Sequence, residues 1–546
     1  MTNARSTEGP LWGGYSRPGD PAAVHSCYYQ CASNDPDVPQ LWAYMDDLSY
    51  APGEIASLHV NTTAATYDMA VYRDGVKKQN VFQQYQIPGS FHHTPPDCSI
   101  NGCDWPVSLE IPIEGNWSSG GYVVELTATA ADGSTLQYDH VFLVRPGGKS
   151  SKKGRVLLVA ATGTWTAYND WGGSNHYEGI TEDTGDQYAP VLSLNRPYAR
   201  GFVKLPADAP RVPLRSSPEM GAVIRYPHME WAYENGYSKK CASAGWASFE
   251  RPYVRWLENG GYSVDIISGQ DLHLRPSIVN GYDCLTFIGH DEYWSWEMRD
   301  TIDAYVEGGG NVARFAGNFF WQIRLENDGR TQICYKYRAY EEDPLINTEQ
   351  SHLTTLFWDT PEVGRPGAQT FGLSGTLGLY AGWGGCSPRG AGGFTIYRPD
   401  HWAFEDCDIY YGDVVGARSR VFGYEVDGVD HIVKGGLPYA TGSDGAPDNL
   451  LILGLGLAST FEADHDNGLP LFIGSDDVEF VARAMHGKTT PETVDQSRRG
   501  SGMIATFQRG QGYVFNAGTC EWIAGLIDCD PQIERITENV LNRFTG

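Results

Sequence analysis

Residues 155–161 read Arg-Val-Leu-Leu-Val-Ala-Ala, an unbroken apolar run after one arginine. A strand with one face in water alternates in polarity; one that is apolar on both faces belongs inside a parallel sheet covered by helices. The residues ahead of it, Arg145-Pro146-Gly147-Gly148-Lys149-Ser150-Ser151-Lys152-Lys153-Gly154, are polar and rich in glycine and serine, the composition of a flexible joint. The chain therefore divides here into two differently built parts.

Upstream, β-branched and aromatic runs at Ile55–Val60, Met69–Tyr72, Val107–Ile111, Tyr122–Ala128 and Tyr138–Val144 are separated by turns, and several alternate as half-buried antiparallel strands do. This predicts an immunoglobulin-like β-sandwich over residues 41–146, preceded by an irregular segment at 1–40 and followed by the linker at 147–154. Downstream, strands at Arg155–Ala161, Ser263–Ile267, Tyr282–Ile288 and Asn311–Phe315 are interleaved with helices at Glu250–Asn259 and Trp294–Val306, each closed by glycines. That succession predicts an α/β domain over residues 155–546, an open, mostly parallel sheet of glutamine-amidotransferase-like type with insertions. A hairpin at Ile504–Phe507 and Tyr513–Phe515 and an amphipathic helix at Asp530–Phe544 close the chain, while the glycine-rich stretch Gly364–Arg398 reads as a long surface excursion. With 546 residues, the chain exceeds the roughly 250–300 residues at which single cores stop growing.

Forty basic against 67 acidic residues give a net charge of -27. Such a field excludes nucleic acid and anionic membranes as partners and favours a neutral or cationic small molecule. No stretch approaches the roughly 20 apolar residues that span a bilayer, and Met1–Arg17 lacks the apolar core of a signal peptide, so a cytoplasmic location with reduced thiols is expected. The pairs Cys27/Cys31 and Cys98/Cys103 lack the Cys-x-x-Cys spacing of a zinc knuckle and read as thiols. Asn61-Thr62-Thr63 and Asn116-Trp117-Ser118 match the glycosylation sequon by chance.

In an open α/β sheet the ligand site lies beyond the carboxyl ends of the strands. The residues there are Thr162-Gly163-Thr164-Trp165-Thr166-Ala167-Tyr168-Asn169, Gly289-His290-Asp291-Glu292-Tyr293 and Ala316-Gly317-Asn318. His290, Asp291 and Glu292 put three titratable groups at one strand end, where burial perturbs their protonation; Asp291 also reads as the cap of the helix that follows. Gly-x-Ser-x-Gly, His-Glu-x-x-His and a P-loop are all missing, which disfavours a covalent acyl-enzyme. Carboxylate, phenol and imidazole groups without a thiol suit a hard, oxygen-preferring metal acting as Lewis acid.

These pieces, in their order, give a resemblance to a family, the large subunit of N,N-dimethylformamidase and its relatives, running from about Leu41 to the C-terminus. It is carried by Tyr50-Ala51-Pro52-Gly53-Glu54, Ser119-Gly120-Gly121-Tyr122, Ala167-Tyr168-Asn169, Trp171-Gly172-Gly173-Ser174 and Asn195-Arg196-Pro197-Tyr198. It continues through Arg255-Trp256-Leu257-Glu258, Asp271-Leu272-His273, Gly289-His290-Asp291-Glu292-Tyr293-Trp294, Gly423-Tyr424-Glu425-Val426-Asp427 and Phe515-Asn516-Ala517-Gly518.

The resemblance implies an amidohydrolase that cleaves a carboxamide C–N bond with one ferric iron held by two tyrosinates and a carboxylate. Glu292 matches the carboxylate. Tyr168 and Tyr198 are the expected tyrosines, with Tyr177 and Tyr253 open as alternatives. His290 and Asn318 match residues that orient substrate or stabilise an oxyanion, and Glu425 matches a carboxylate that moves protons to and from water. The resemblance also implies a small accessory subunit and a homo-oligomer, with aromatic segments at Trp12 and Tyr28–Tyr29 available to meet a partner. Pro206–Lys240, bearing Tyr226, Trp231, Tyr233 and Tyr237, reads as a lid. Two other readings compete: a non-catalytic small-molecule or sugar-binding protein, which needs no stoichiometric metal, and a mononuclear iron oxygenase, which needs dioxygen. Zinc or manganese would also satisfy donors of this kind.

Overall fold

The computed structural model describes residues 30–147, 152–177, 180–181, 185–186, 189–211, 231–232, 234–378, 380–381, 392–459 and 475–546. Most of the expected irregular segment and residues 148–151 of the joint therefore lie outside the described residues, as do Trp12, Tyr28, Tyr29, Tyr226 and Tyr233. The fold is mixed α/β and rich in strands.

The apolar run forms the strand Val156–Ala160, buried throughout. It is second in a nine-stranded sheet ordered Val264–Ser268, Val156–Ala160, Cys284–His290, Asn311–Gly317, Gly512–Asn516, Arg499–Arg509, Leu451–Ser459, Phe394–Ile396 and Val414–Val415. The first five strands are mutually parallel. The other four join antiparallel, so the sheet is half parallel rather than mostly so. The cause is the tight turn at Gly510-Gln511: a connection that short can only fold a strand back beside its neighbour, and the sheet grows antiparallel from there.

Helices Glu250–Asn259, Trp296–Glu307 and Pro531–Thr545 cover the sheet with one apolar side each. The second begins later than its periodicity suggests, because Tyr293–Ser295 pairs as a short strand with Trp321–Ile323. Ser295, not Asp291, caps it, its Oγ accepting from Met298 N at 3.2 Å. Asp291 instead accepts from the Trp294 indole at 2.9 Å. It also faces the buried Arg314 at 3.5 Å.

The N-terminal part contains a three-stranded sheet (Leu41–Met45, Ile55–Thr62, Leu109–Pro112) and a five-stranded one ordered Ser49–Tyr50, Thr135–Val144, Gly120–Thr129, Thr66–Asp74 and Lys78–Pro88. The polar segment 78–88 escapes a hydrophobic-period reading because it is an edge strand with most side chains in water. Asn61 is buried and donates to the His92 carbonyl at 2.9 Å, leaving no room for a glycan there.

The two parts are knit by buried polar contacts. Asp74 accepts from Trp246 Nε1 at 2.9 Å and Arg251 Nε at 2.7 Å; Ser49 Oγ donates to Asp271 at 2.8 Å. Gly121 is required at this seam, since a Cβ there would stand 2.4 Å from the Trp246 ring. The glycine-rich stretch is not wholly a surface excursion. Ala368, Phe371 and Leu373 are fully buried; the Arg299 guanidinium donates to the Pro366 carbonyl at 2.8 Å and Asn516 to that of Phe371 at 3.2 Å. Residues 382–391 fall outside the described ones. Among the described residues no helix is long and apolar enough to cross a membrane.

Candidate active site

The carboxyl ends of the parallel strands deliver a compact, buried cluster. The strand Val156–Ala160 leads into helix Thr162–Tyr168, whose Gly163 packs so closely that a Cβ would stand 2.6 Å from the Tyr293 carbonyl oxygen. Thr164 Oγ1 accepts from Glu292 N at 3.0 Å, locking the helix against the loop after Cys284–His290. Tyr168, at the helix end, donates to Glu292 Oε2 at 3.0 Å.

The chain then reverses through Trp171-Gly172-Gly173-Ser174. Gly172 and Gly173 take φ of 86° and 105°, a region that side chains with a Cβ avoid. Asn175 fastens the reversal, donating to the Tyr168 carbonyl at 3.2 Å and accepting from Tyr177 N at 2.8 Å. Tyr177 is thereby laid against Tyr168, ring centroids 4.6 Å apart. Its hydroxyl donates to the Glu292 carboxylate at 2.7 Å. Behind it runs a directed chain: Lys336 Nζ donates to Tyr293 Oη at 3.0 Å, which donates to Tyr177 Oη at 2.7 Å. The Lys336 ammonium also stands 3.2 Å from the Tyr177 ring centroid, and Lys240 lies 5.2 Å from it.

Tyr198 is not brought to Glu292. Its ring stacks on His140 of the N-terminal part at 5.0 Å and meets Trp165 edge-on; its buried hydroxyl has no hydrogen-bond partner among the described residues. The neighbouring Arg196 explains the Asn195-Arg196-Pro197-Tyr198 segment: its buried guanidinium donates to the carbonyls of Trp171, Asn169 and Ser174, the latter two at 2.9 Å, and so holds the reversal that delivers Tyr177. Tyr253 is also elsewhere, in the sheet core against Thr286 Oγ1 at 2.8 Å.

His290 occupies the centre. Its Nε2 lies 2.9 Å from Glu425 Oε2 and 3.2 Å from Glu292 Oε2. Its Nδ1 lies 2.6 Å from Tyr424 Oη and 2.9 Å from the Ser243 carbonyl. Burial opposes the imidazolium, but the charges of Glu425 and Glu292 outweigh it and raise its pKa to about 10. Burial likewise drives the Tyr168 and Tyr177 phenols well up, reinforced by Glu292. Glu292 itself is held low by His290 and Lys336 against the cost of burial. Burial raises Glu425, against the pull of His290.

Asn318 sits in the left-handed region, φ 62°, which asparagine tolerates, and donates to Glu425 Oε2 at 2.8 Å. Glu425 is no surface charge. Two residues on, the fully buried Asp427 accepts from Arg314 at 2.6 Å and from Phe319 N at 3.1 Å, fixing the Gly-x-Glu-x-Asp segment over the strand ends. Cys520, after the strand Gly512–Asn516, completes the wall; its sulfur and the nearest atoms of His290 and Glu425 all lie within 4.8 Å of one another. Tyr293, Lys336, Lys240, Tyr424 and Cys520 were not singled out by the sequence. Only Tyr293 and Tyr424 carried a signal, as immediate neighbours of Glu292 and Glu425.

Tyr168 Oη, Tyr177 Oη and the Glu292 carboxylate thus converge as three oxygen donors with contacts of 2.7–3.0 Å. A hard cation with bonds of about 2 Å fits such a set.

Fold and site together define a protein of mixed α/β architecture with a buried phenol–carboxylate–imidazole cluster at the carboxyl ends of parallel strands. A family profile described as N,N-dimethylformamidase beta subunit-like, C-terminal, matches residues 64–534, and the chain belongs to that family. No curated protein matches it. Among solved structures, the sporulation control protein Spo0M from Bacillus subtilis is 13% identical over 20% of this chain and 49% of its own length, with a TM-score of 0.15. Murine CRIg is 13% identical over 19% of this chain and 97% of its own, TM-score 0.14. The PmoD soluble domain from Methylocystis sp. is 10% identical over 19% and 88%, TM-score 0.13.

Proposed function

We propose that the protein is an iron-dependent amidohydrolase that cleaves the C–N bond of a small carboxamide. The observation that carries this reading is the convergence of Tyr168, Tyr177 and Glu292, all buried, in a chain of the dimethylformamidase beta subunit-like family. These three residues would hold the ion, with Tyr177 in the place the sequence assigned to Tyr198. A ferric ion held by Tyr168, Tyr177 and Glu292 would supply Lewis acidity toward an amide carbonyl.

The remaining chemistry belongs to side chains. Glu425, raised by burial and backed by Asn318, takes a proton from water and returns it to the leaving amine. His290, kept as an imidazolium by the two carboxylates, donates toward the developing oxyanion, and the Asn318 amide orients the substrate. Lys336 and Tyr293 pin the Tyr177 phenol. The immunoglobulin-like and glutamine-amidotransferase-like architectures, the division at residues 147–154, a cytoplasmic setting, a small accessory subunit and a homo-oligomer form part of the same proposal.

The test is metal analysis combined with anaerobic hydrolysis of N,N-dimethylformamide and related linear amides. About one iron per chain, a visible tyrosinate-to-iron band and amine release without dioxygen are expected. A colourless zinc protein of equal activity would overturn the iron assignment; a requirement for dioxygen would overturn the hydrolase.

A further inference from the structure

We propose that His290, Glu425 and Cys520 form a second cation site, suited to a borderline-soft divalent ion of the zinc class, whose occupation silences the adjoining hydrolytic site. The silencing rests on the function proposed above; the binding does not.

The donors are one imidazole nitrogen, one carboxylate and one sulfur, all buried and mutually within 4.8 Å; the ion displaces the protons that His290 and Cys520 otherwise carry. Ligand atoms around a tetrahedral ion with bonds of about 2.0–2.3 Å stand roughly 3.3–3.8 Å apart, so closure needs only small side-chain rotations. The 2.9 Å between His290 Nε2 and Glu425 Oε2 already approaches that spacing. The set differs in kind from the neighbouring phenols and carboxylate. A thiolate selects zinc or cobalt over magnesium or calcium, and three protein ligands leave a fourth position open.

The scaffold is tied in place. Cys520 N donates to the Glu425 carbonyl at 3.1 Å and Glu521 N to that of Gly423 at 2.8 Å, so sulfur and carboxylate sit on two segments bound backbone to backbone. The contacts of His290 Nδ1 with Tyr424 and Ser243 fix the ring with Nε2 toward Glu425, the outer support that metal-binding histidines receive elsewhere. A cation here removes Glu425 from proton transfer and His290 from the oxyanion together.

The full-length protein with its native metal complement is titrated with Co²⁺ under anaerobic conditions, with Zn²⁺ as competitor. A near-ultraviolet sulfur-to-cobalt band saturating at one ion per chain and discharged by Zn²⁺ is expected. Cys520→Ala should abolish the band and weaken Zn²⁺ binding at least tenfold, whereas replacement of the exposed Cys529 should change neither. Cys520→Ser, closer in volume, serves as the second variant, with circular dichroism checking that each is folded. Absence of the band in the parent, or its persistence in Cys520→Ala or Cys520→Ser, overturns the site. If the band forms through Cys520 and Zn²⁺ stops amide hydrolysis in the parent, both parts stand. If Zn²⁺ binds while hydrolysis continues at full rate, the silencing falls. If the band forms yet no preparation hydrolyses an amide, the function proposed above fails and the cation site stands.

Discussion

Tyr424 Oη lies 2.6 Å from His290 Nδ1, across the ring from the two carboxylates that share Nε2. The phenol fixes the plane in which His290 addresses Glu425. Tyr424→Phe is therefore expected to leave iron content unchanged while lowering kcat roughly tenfold to a hundredfold, the usual effect of losing such a support. Iron loss in this variant would show that Tyr424 acts on the metal instead.

The two tyrosines near the helix Thr162–Tyr168 should part company on substitution. Tyr177→Phe removes a donor to Glu292 and is expected to bleach the visible band and release iron. Tyr198→Phe removes a buried hydroxyl that has no hydrogen-bond partner among the described residues, and such a group costs about 1–3 kcal/mol when left unsatisfied. That variant should keep its colour and unfold at an equal or higher temperature. Visible spectra and thermal unfolding of both variants decide the assignment.

Under the function proposed above, Glu425 and Glu292 divide proton transfer from metal binding. Glu425→Gln keeps volume and should retain iron, with turnover reduced by about 10²–10⁴-fold. Glu292→Gln should lose iron itself. Iron assays on the two purified variants are the check, and retention of full activity by Glu425→Gln would end its catalytic role.

Glu250 sets a pH dependence of stability. It is fully buried, accepting from Ala161 N at 3.0 Å and the Trp165 indole at 3.1 Å, and burial raises its pKa to about 8. The unfolded chain releases this proton near the ordinary glutamate range, about 4.3, while the folded chain keeps it. Stability is therefore fully present below about pH 4.3 and declines as pH rises toward 8, by about 1.4 kcal/mol per pH unit for one such group. Glu250→Gln should flatten that slope in urea titrations between pH 5 and about pH 8; an unchanged slope would mean that another group carries it.

Much of this architecture was legible in the chain. The run Val156–Ala161 and the strands after it could be located because burial on both faces leaves an apolar signature, and His290, Glu292 and Asn318 followed from the rule that sites gather at strand ends. The antiparallel half of the sheet was read only as one hairpin, since Phe394–Ile396 and Val414–Val415 are too short to show a period. The segment Asn195-Arg196-Pro197-Tyr198 draws attention in sequence to its tyrosine, whereas in the fold its Arg196 holds the reversal at Gly172-Gly173 that places Tyr177 beside Glu292. Lys336 and Cys520 were invisible for a related reason: one buried cation and one buried thiol join the site only through tertiary packing, which leaves no local pattern.

The strand Gly512–Asn516 pairs directly with Asn311–Gly317, although roughly 200 residues separate them along the chain. At ribosomal speeds of about 5–20 residues per second that separation amounts to roughly 10–40 s, during which the edge of Asn311–Gly317 has no partner on that side. A nascent chain carrying a buried-type strand edge for so long is exposed to aggregation before its sheet is complete. Slowing initiation or raising holdase levels should then increase the recovered fraction more than any change at the site itself.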